Sequence, residues 1–464
     1  MKAEQIYISD FDFLSLERLE IDQWIGQHAT AVISGYISDE YVHEYQGRVM
    51  ENRWVTITAV GEDGEKKAVM GGIIAGFSFE KMTHDVKMCL VLKSGTYLMD
   101  RTPHFRSFQN LNETYLDVMN RISAFYGSHG VIAESCVQQE TVDFLLQYKE
   151  TDWTFVRRLA SRFGLEVTPA ITREGVFYYV GNASSDTYRL TDTVYCMGKN
   201  MDAFMIQGAN GAGGKDEQDY LEYRLSTREL YDLWDRLVLG NGSGYVWHIH
   251  REYKHGELYN TYILRAGHGM KTERIFNGYQ SGCSFKATVR SVMQDMVQIS
   301  IADDENRDQK VTKWFPFSTG YSSPNGAGWY CMPEIGDCVR LQIPGHAEED
   351  GYVISAVHLE TGNDRKNPDH KSFKTRYGKE LLFTPDSLEL TNHQGMSIRI
   401  KDGEGIQIVS SRDISISSGG TMTLSSEDAS LVIAGTESVD IRQGGAGLHI
   451  DKDIIFSGGK FRIQ

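Results

Sequence analysis

Residues 398–416 read IRIKDGEGIQIVSSRDISI, and apolar residues recur in this stretch as pairs separated by one residue. The pairs continue to the last residues of the sequence, and their first members are mostly eight or nine residues apart. Ser, Thr, Asp and many Gly lie between them. From residue 398 to residue 450 the paired residues are Ile398, Ile400, Ile406, Ile408, Ile414, Ile416, Met422, Leu424, Leu431, Ile433, Val439, Ile441, Leu448 and Ile450.

This repeat predicts an assembly of several chains. Apolar residues at i and i+2 lie on one face of a strand, so each strand offers only two apolar side chains to an interior. A winding of eight residues is too short for one chain to surround a dry centre, whereas three chains wound together can enclose one. We therefore predict that residues 377–464 form an intertwined triple-stranded β-helix in a homotrimer, with the paired residues as its core. The alternative is a single-chain β-solenoid, whose repeats are usually longer, about 20–30 residues.

The segment before the repeat predicts a small barrel. Five short runs of β-branched and aromatic residues fall between residues 283 and 360, which suits a closed or partly closed barrel of the OB-fold type. Residues 361–376 are polar and contain one Pro, so they are expected to form a linker.

Residues 1–280 consist mainly of β-type runs separated by turn residues, with a few helical patterns between them. One helix is predicted over residues 110–126. A second begins at the capping residues Thr151 and Asp152 and ends at Gly164, where a left-handed cap is favoured. The stretch 220–237 is predicted to be partly helical. The predicted fold class is therefore mainly β with a few helices.

Composition excludes some classes of function. The formal net charge of −16 argues against nucleic acid as a partner, because binding phosphates requires a basic face. Six Cys without a C-x-x-C pair predict free thiols and synthesis in a reducing cytoplasm. The first twenty residues lack the apolar core of a secretory signal, and no apolar run reaches the length of a membrane span.

Motifs for catalysis and ligand binding are weak. His248 and His250 could face one metal from a strand, but a hydrogen-bonded strand surface is the better interpretation. Residues 208–215 resemble a phosphate loop only in their Gly content, since Asp216 follows where Ser or Thr is needed. We therefore predict no catalytic, cofactor-binding or metal-binding residues, and a protein that is not an enzyme.

Two stretches carry a resemblance to a known family. Residues 147–167 read QYKETDWTFVRRLASRFGLEV and residues 313–344 read KWFPFSTGYSSPNGAGWYCMPEIGDCVRLQIP. Together with the repeat, they resemble the VgrG family of type VI secretion spikes and the fused hub–spike proteins of contractile phage tails. The resemblance implies that residues 1–280 form a hub or platform with two barrel-like parts. It also implies that residues 283–360 form a collar and residues 377–464 a needle.

The function implied is that of a trimeric baseplate hub and membrane-puncturing spike, which caps the inner tube and delivers tip or cargo effectors on sheath contraction. The expected partners are the chain itself, the inner tube protein, baseplate proteins, effector cargo and, only on firing, a target membrane. A PAAR-like tip protein is expected to bind the apolar edge at Phe461 and Ile463. The protein would be cytoplasmic until assembly and then part of the injection particle. The alternatives are a tail adhesin or receptor-binding fibre and, less favoured, a cell-wall hydrolase.

Overall fold

The computed structural model of the chain describes residues 3–51, 53–61, 64–81, 85–184, 186–191, 193–199, 201, 205, 217–240, 242–358 and 366–460. The chain divides into two compact units, Met1–Leu359 (unit 1) and Glu360–Gln464 (unit 2). The linker predicted for 361–376 lies partly outside the described residues. Among the described residues, none of the helices combines the length and apolar character needed to cross a bilayer.

A twelve-stranded sheet forms most of unit 1, in the order β1-β4-β5-β6-β3-β2-β16-β17-β14-β13, with β12 and β15 attached beside β16. Its first half consists of β1 (Ala3–Ile8), β2 (Ser15–Trp24), β3 (Thr30–Ile37), β4 (Trp54–Gly61), β5 (Lys66–Lys81) and β6 (Val86–Lys93). Its second half consists of β12 (Thr187–Leu190), β13 (Tyr195–Lys199), β14 (Leu221–Thr227), β15 (Arg236–Leu239), β16 (Gly242–Lys254) and β17 (Glu257–Arg265). Antiparallel pairing of β2 with β16 joins the halves, and each half has its own apolar core.

The helical interpretation of residues 220–237 is wrong. The stretch begins with the end of a 3-10 turn, continues as β14 and reaches β15 at its end. β14 pairs antiparallel with β17 over six residues, and Leu225 lies opposite the fully buried Tyr262. The pairing places Leu225 in a core, and this tertiary burial overrides the helical spacing.

A smaller helical layer connects the two halves. It contains the helices α2 (Tyr115–Ser123), α3 (Ser135–Gln139) and α4 (Asp152–Ser161) and the short strands β7 (Pro103–Phe108), β8 (His129–Ala133), β9 (Leu145–Thr151), β10 (Val167–Pro169) and β11 (Val176–Val180). The first helix of the chain, α1 (Val42–Met50), lies between β3 and β4 in the sequence. The second predicted helix is confirmed, since Thr151 caps α4 and Gly164 follows it with φ +69°. The first is shorter than predicted, because Thr114 and Asp117 form a capping box that starts α2 at residue 115.

Five strands form the predicted barrel: β18 (Ser284–Met293), β19 (Met296–Ile301), β20 (Phe315–Pro316), β21 (Cys338–Gln342) and β22 (Tyr352–Ile354). They pair in the order β20-β19-β18-β21-β22. A bridge between Phe317 and Val353 brings the two edges together, so the sheet closes on itself. Five strands and a closed sheet are as predicted, while the OB-fold assignment stays a prediction.

The barrel shares its apolar core with two residues from earlier in the chain. Phe144 and Leu146, which lie at the start of β9, are fully buried in the same apolar cluster as Phe285 and Val339 of the barrel. Asp304 from the barrel also accepts a hydrogen bond of 2.9 Å from the Ser107 backbone N–H in β7. The antiparallel strands β7 and β9, which lie more than a hundred residues before the barrel in the sequence, therefore contribute contacts that complete it.

Unit 2 contains two antiparallel sheets. The tail sheet consists of β23 (Lys371–Lys374), β24 (Glu380–Phe383), β25 (Ser387–Thr391), β26 (Met396–Lys401) and β27 (Gly405–Ser410), paired in chain order. The terminal sheet consists of β28 (Val439–Gln443), β29 (Ala446–Ile450) and β30 (Ile454–Ser457). Residues 411–438, the intervening segment, are described but carry no assigned strand.

Candidate functional site: the open apolar face of unit 2

The register of the tail sheet aligns its apolar residues into two columns. Nine apolar residues lie opposite one another on neighbouring strands, because the i, i+2 spacing is kept from strand to strand. The first column is Phe373, Leu381, Leu390, Ile398 and Ile408, and the second is Phe383, Leu388, Ile400 and Ile406. We call these nine residues the open face.

Within a single chain, the open face is not covered. Ile398 is 42% exposed and Ile406 is 71% exposed, and every apolar residue that is buried in the described residues lies at or before Val353. The terminal sheet repeats the arrangement on a smaller scale, with Ile441, Leu448 and Phe456 opposed across its strands. A contiguous apolar surface of this kind marks an interaction site.

The intervening segment continues the sequence repeat, but its described residues form no sheet. Its three pairs are Ile414/Ile416, Met422/Leu424 and Leu431/Ile433, and each of these six side chains is between 47% and 71% exposed. The spacing of two that placed Ile398 and Ile400 on one face is unchanged, but the described residues of this segment form no strand with their own chain. Their backbone groups are therefore available to other chains.

The structure thus places the predicted spike residues as follows. The predicted residues in the tail and terminal sheets share faces as expected. The sequence analysis did not include Phe373, which belongs to the first column. A single-chain β-solenoid stacks parallel coils, whereas both sheets of unit 2 are antiparallel. Phe461 and Ile463, the predicted tip residues, lie outside the described residues.

His449 lies on the opposite face from its neighbours Leu448 and Ile450, as the alternation requires. Its Nδ1 is 2.9 Å from the Asp440 carboxylate, and this contact raises the pKa of His449 above its ordinary value. The histidine is therefore part of an exposed ion pair on the face away from the apolar columns.

A buried charge cluster fixes the barrel to the rest of unit 1. Arg158 of α4 donates two hydrogen bonds of 2.9 Å to Glu150 and one of 2.7 Å to Glu348 beside the barrel. Arg158 and Glu348 are almost fully buried. Burial alone would lower the pKa of Arg158, but Glu348 and Glu150 raise it above its ordinary value. Burial raises the pKa of Glu150, although Arg158 acts against it.

These contacts explain part of the motif at residues 147–167. Glu150 is the penultimate residue of β9, and Arg158 lies on the buried side of the helix that follows at once, so the two meet across the strand–helix turn. Asp152, between them, accepts a hydrogen bond of 2.8 Å from Arg106 of β7. The charged residues of the motif therefore hold strand, helix and barrel in one arrangement.

His248 and His250 share one carboxylate. Their rings lie 3.1 Å and 3.2 Å from the two oxygens of Asp22 on the neighbouring strand β2, and Trp24 stacks on His248. Asp22 is 226 residues from His248 along the chain, so no sequence spacing revealed it. In the part of the chain that the structure describes, no group of three or more His, Cys, Asp or Glu side chains is arranged to hold a metal ion. All six cysteines are free thiols.

The chain is similar to known hub and spike proteins. The phage tail baseplate hub (GPD) family matches residues 12–220. No curated protein sequence matches the chain significantly. Among solved structures, the Escherichia coli c3393 protein matches with a TM-score of 0.54 and 13% identity, over 76% of this chain and 100% of that chain. It is described as a component of the type VI secretion system with structural similarity to the bacteriophage T4 tail proteins gp27 and gp5.

The Francisella PdpA–VgrG complex also matches. Its lidded form gives a TM-score of 0.58 with 10% identity over 85% of this chain and 76% of that chain, and its lidless form gives 0.56 with 11% identity over 85% and 93%. At this identity, the structural matches show the fold. The resemblance predicted from the sequence is confirmed: residues 12–220 match the phage tail baseplate hub family, and the chain has the fold of the VgrG-like, gp27/gp5-like hub and spike proteins.

Proposed function

We propose that three copies of this chain form the hub and spike of a contractile injection machine, and that the open face and the apolar pairs of residues 411–438 meet around the axis of the trimer. The observation that carries the proposal is an apolar surface on unit 2 that one chain leaves uncovered, in a chain whose first half matches a baseplate hub family. Unit 1 would cap the inner tube and contact baseplate proteins. Unit 2 would be the membrane-puncturing needle.

The proposed role is mechanical rather than enzymatic. The sheath supplies the work, and the spike supplies stiffness through stacked strands. The chain would be made in the cytoplasm and travel with the particle on firing. Because a VgrG is solved in complex with PdpA, we propose that this chain too carries a second protein, either as effector cargo or as a PAAR-like tip docked at Phe461 and Ile463.

The test is the mass of the purified full chain by light scattering. A mass near three times 52.4 kDa is expected, and a monomer at micromolar concentration would remove the foundation of the proposal. Electron microscopy of assembled particles with a tag on unit 1 then separates the candidate roles. A hub places the tag at the end of the inner tube, whereas a receptor-binding fibre places it at the periphery. A peptidoglycan zymogram that shows clearing would revive the hydrolase alternative.

A further inference from the structure

The barrel contains a long stretch without charge. The twenty residues from Trp314 to Pro333 include no Asp, Glu, Lys or Arg, although 24% of the whole chain is charged and about five charged residues would be expected in this length. Lys313 and Glu334 flank the stretch on either side. Asp, Glu, Lys and Arg are mostly found on protein surfaces, so a largely exposed stretch without them in a chain of net charge −16 calls for a reason.

Within this stretch, residues 320–331 form an ordered hairpin, which we call the aromatic arm. Ser322 bridges Gly328 in antiparallel fashion, and the Trp329 backbone N–H donates a hydrogen bond of 2.8 Å to the Tyr321 carbonyl. A Cβ on Gly328 would lie only 2.4 Å from that carbonyl oxygen, so the close approach of the two sides requires Gly. The arm is therefore a built element of the barrel.

The arm presents large aromatic side chains outward. Trp329 is 71% exposed and Tyr330 is 76% exposed, and the Tyr330 hydroxyl is held by a hydrogen bond of 2.9 Å to the Gln294 carbonyl. A groove of about 430 Å³ runs beside the arm, with Phe317, Cys331 and Ile354 in its lining. Exposed aromatic residues next to an apolar groove are typical of the centre of a protein–protein interface.

We propose that the aromatic arm of one copy packs into the barrel groove of the next copy, so that three arms clasp three barrels in a ring. This inference rests on the proposed trimer. Charge favours a second copy as the occupant: two surfaces of identical, strongly acidic chains repel each other unless the contact is uncharged, and this stretch is uncharged. Gly320, Trp329 and Cys331 of the arm also line the groove, so arm and groove form one continuous uncharged surface, which would meet the same surface of the neighbouring copies around the three-fold axis.

The experiment is photo-crosslinking of the full chain, with p-benzoylphenylalanine incorporated at position 329. The matched control carries the same probe at Tyr279, which is 67% exposed elsewhere in unit 1. We expect covalent dimers and trimers from position 329, with crosslinked peptides from residues 317–320 or 352–355 of another copy, and at least fivefold fewer from position 279.

The outcomes distinguish the two proposals. A trimeric mass with only intramolecular products from position 329 overturns the arm contact and leaves the trimeric needle standing. A monomeric mass overturns both. Crosslinks from position 329 to a different protein in place of a second copy also overturn the arm contact.

Discussion

The barrel and the tail sheet are both five-stranded antiparallel sheets with one apolar face, and they cover that face differently. In the barrel, closure of the sheet, Leu146 of β9 and Phe144 just before β9 together bury the apolar face. In the tail sheet the strands are regular and the register is unbroken, yet Ile398 and Ile408 stay exposed. The difference shows that regular strands alone do not make a core, and that the missing layer has to come from elsewhere.

The charged residues follow the same division. In unit 1, Arg158 is buried between two glutamates, whereas in unit 2 the pair of Arg442 and Asp440 is exposed, with Arg442 77% accessible. A buried pair makes the arrangement of its neighbours obligatory, because an unpaired charge is costly. An exposed ion pair adds little to the free energy of folding, and it leaves polar side chains on the surface of unit 2.

The largest expected effect comes from charging the open face. The double variant Ile398→Asp/Ile408→Asp should abolish the trimer, because six carboxylates would then face one another in a dry interior. For a monomeric protein the same changes lie at exposed positions and would cost little. Light scattering of the full chain measures the outcome.

The matched control for this variant is Ser397→Asp/Gln407→Asp. It adds the same two charges to the same two strands on the opposite face, and it should remain trimeric. If the open-face variant stays trimeric with unchanged heat resistance, the tail sheet is not the trimer contact.

The second effect concerns the buried charges of unit 1. Arg158→Leu leaves Glu150 and Glu348 without their partner and should lower the free energy of unfolding of unit 1 by about 3–5 kcal/mol. Urea unfolding followed by Trp fluorescence measures this unit alone, since all seven Trp lie at or before residue 329. Arg442→Leu, which breaks the exposed pair, should leave the transition unchanged. Equal effects of the two variants would contradict the difference in stability between the buried ion pairs of unit 1 and the exposed pair of unit 2.

The third prediction concerns the contribution of Leu146 to the apolar core of the barrel. Leu146→Ala should destabilise unit 1 by about 2–5 kcal/mol, because it opens a cavity where β9 enters the barrel. Ile406→Ala removes a similar volume from the open face and should not move the Trp-detected transition. If Leu146→Ala is silent in the same assay, the barrel does not depend on β9.

The smallest effect is a dependence on pH. Burial lowers the pKa of His28 to about 4, although Asp100 acts against it. Between pH 6.5 and 4 the unfolded chain therefore binds a proton that the native chain does not, so the stability of unit 1 should fall by about 1–3 kcal/mol as the pH falls through this window. His28→Gln should flatten the urea midpoints measured across these pH values, and a slope that survives in the variant would assign it to other groups.

The corresponding histidine of unit 2 has the opposite sign. Asp440 raises the pKa of His449, so its contribution to stability is present below its unfolded pKa and is lost as the pH rises through the folded value. His449→Gln should not alter the Trp-detected pH profile of unit 1, which makes it a control for His28→Gln.

Local patterns carried the prediction where the physics is local. The i, i+2 pairs around Ile398 predicted which residues share a face, and Thr151 and Gly164 predicted the ends of α4, because both depend on neighbours a few residues away. The contact of Phe144 with the barrel and the contact of Asp22 with His248 were not predictable. They join segments more than a hundred residues apart, and a single sequence holds no spacing that encodes such distances.

The stretch 220–237 shows that a local pattern can also predict the wrong secondary structure. Its spacing of apolar residues fits a helix, but Leu225 is taken into a core by pairing of β14 with β17. Likewise, the repeat predicted that partner chains are needed, while the antiparallel order of the tail sheet was not predictable from the repeat.

The core that β9 shares with the barrel sets where this chain can be cut and rejoined. A spike cassette taken from residue 283 onward would leave Phe144 and Leu146 behind, and the transplanted barrel would lack two of its buried side chains. For the design of chimeric injection particles, the barrel therefore has to stay with the earlier part of unit 1 that completes its core.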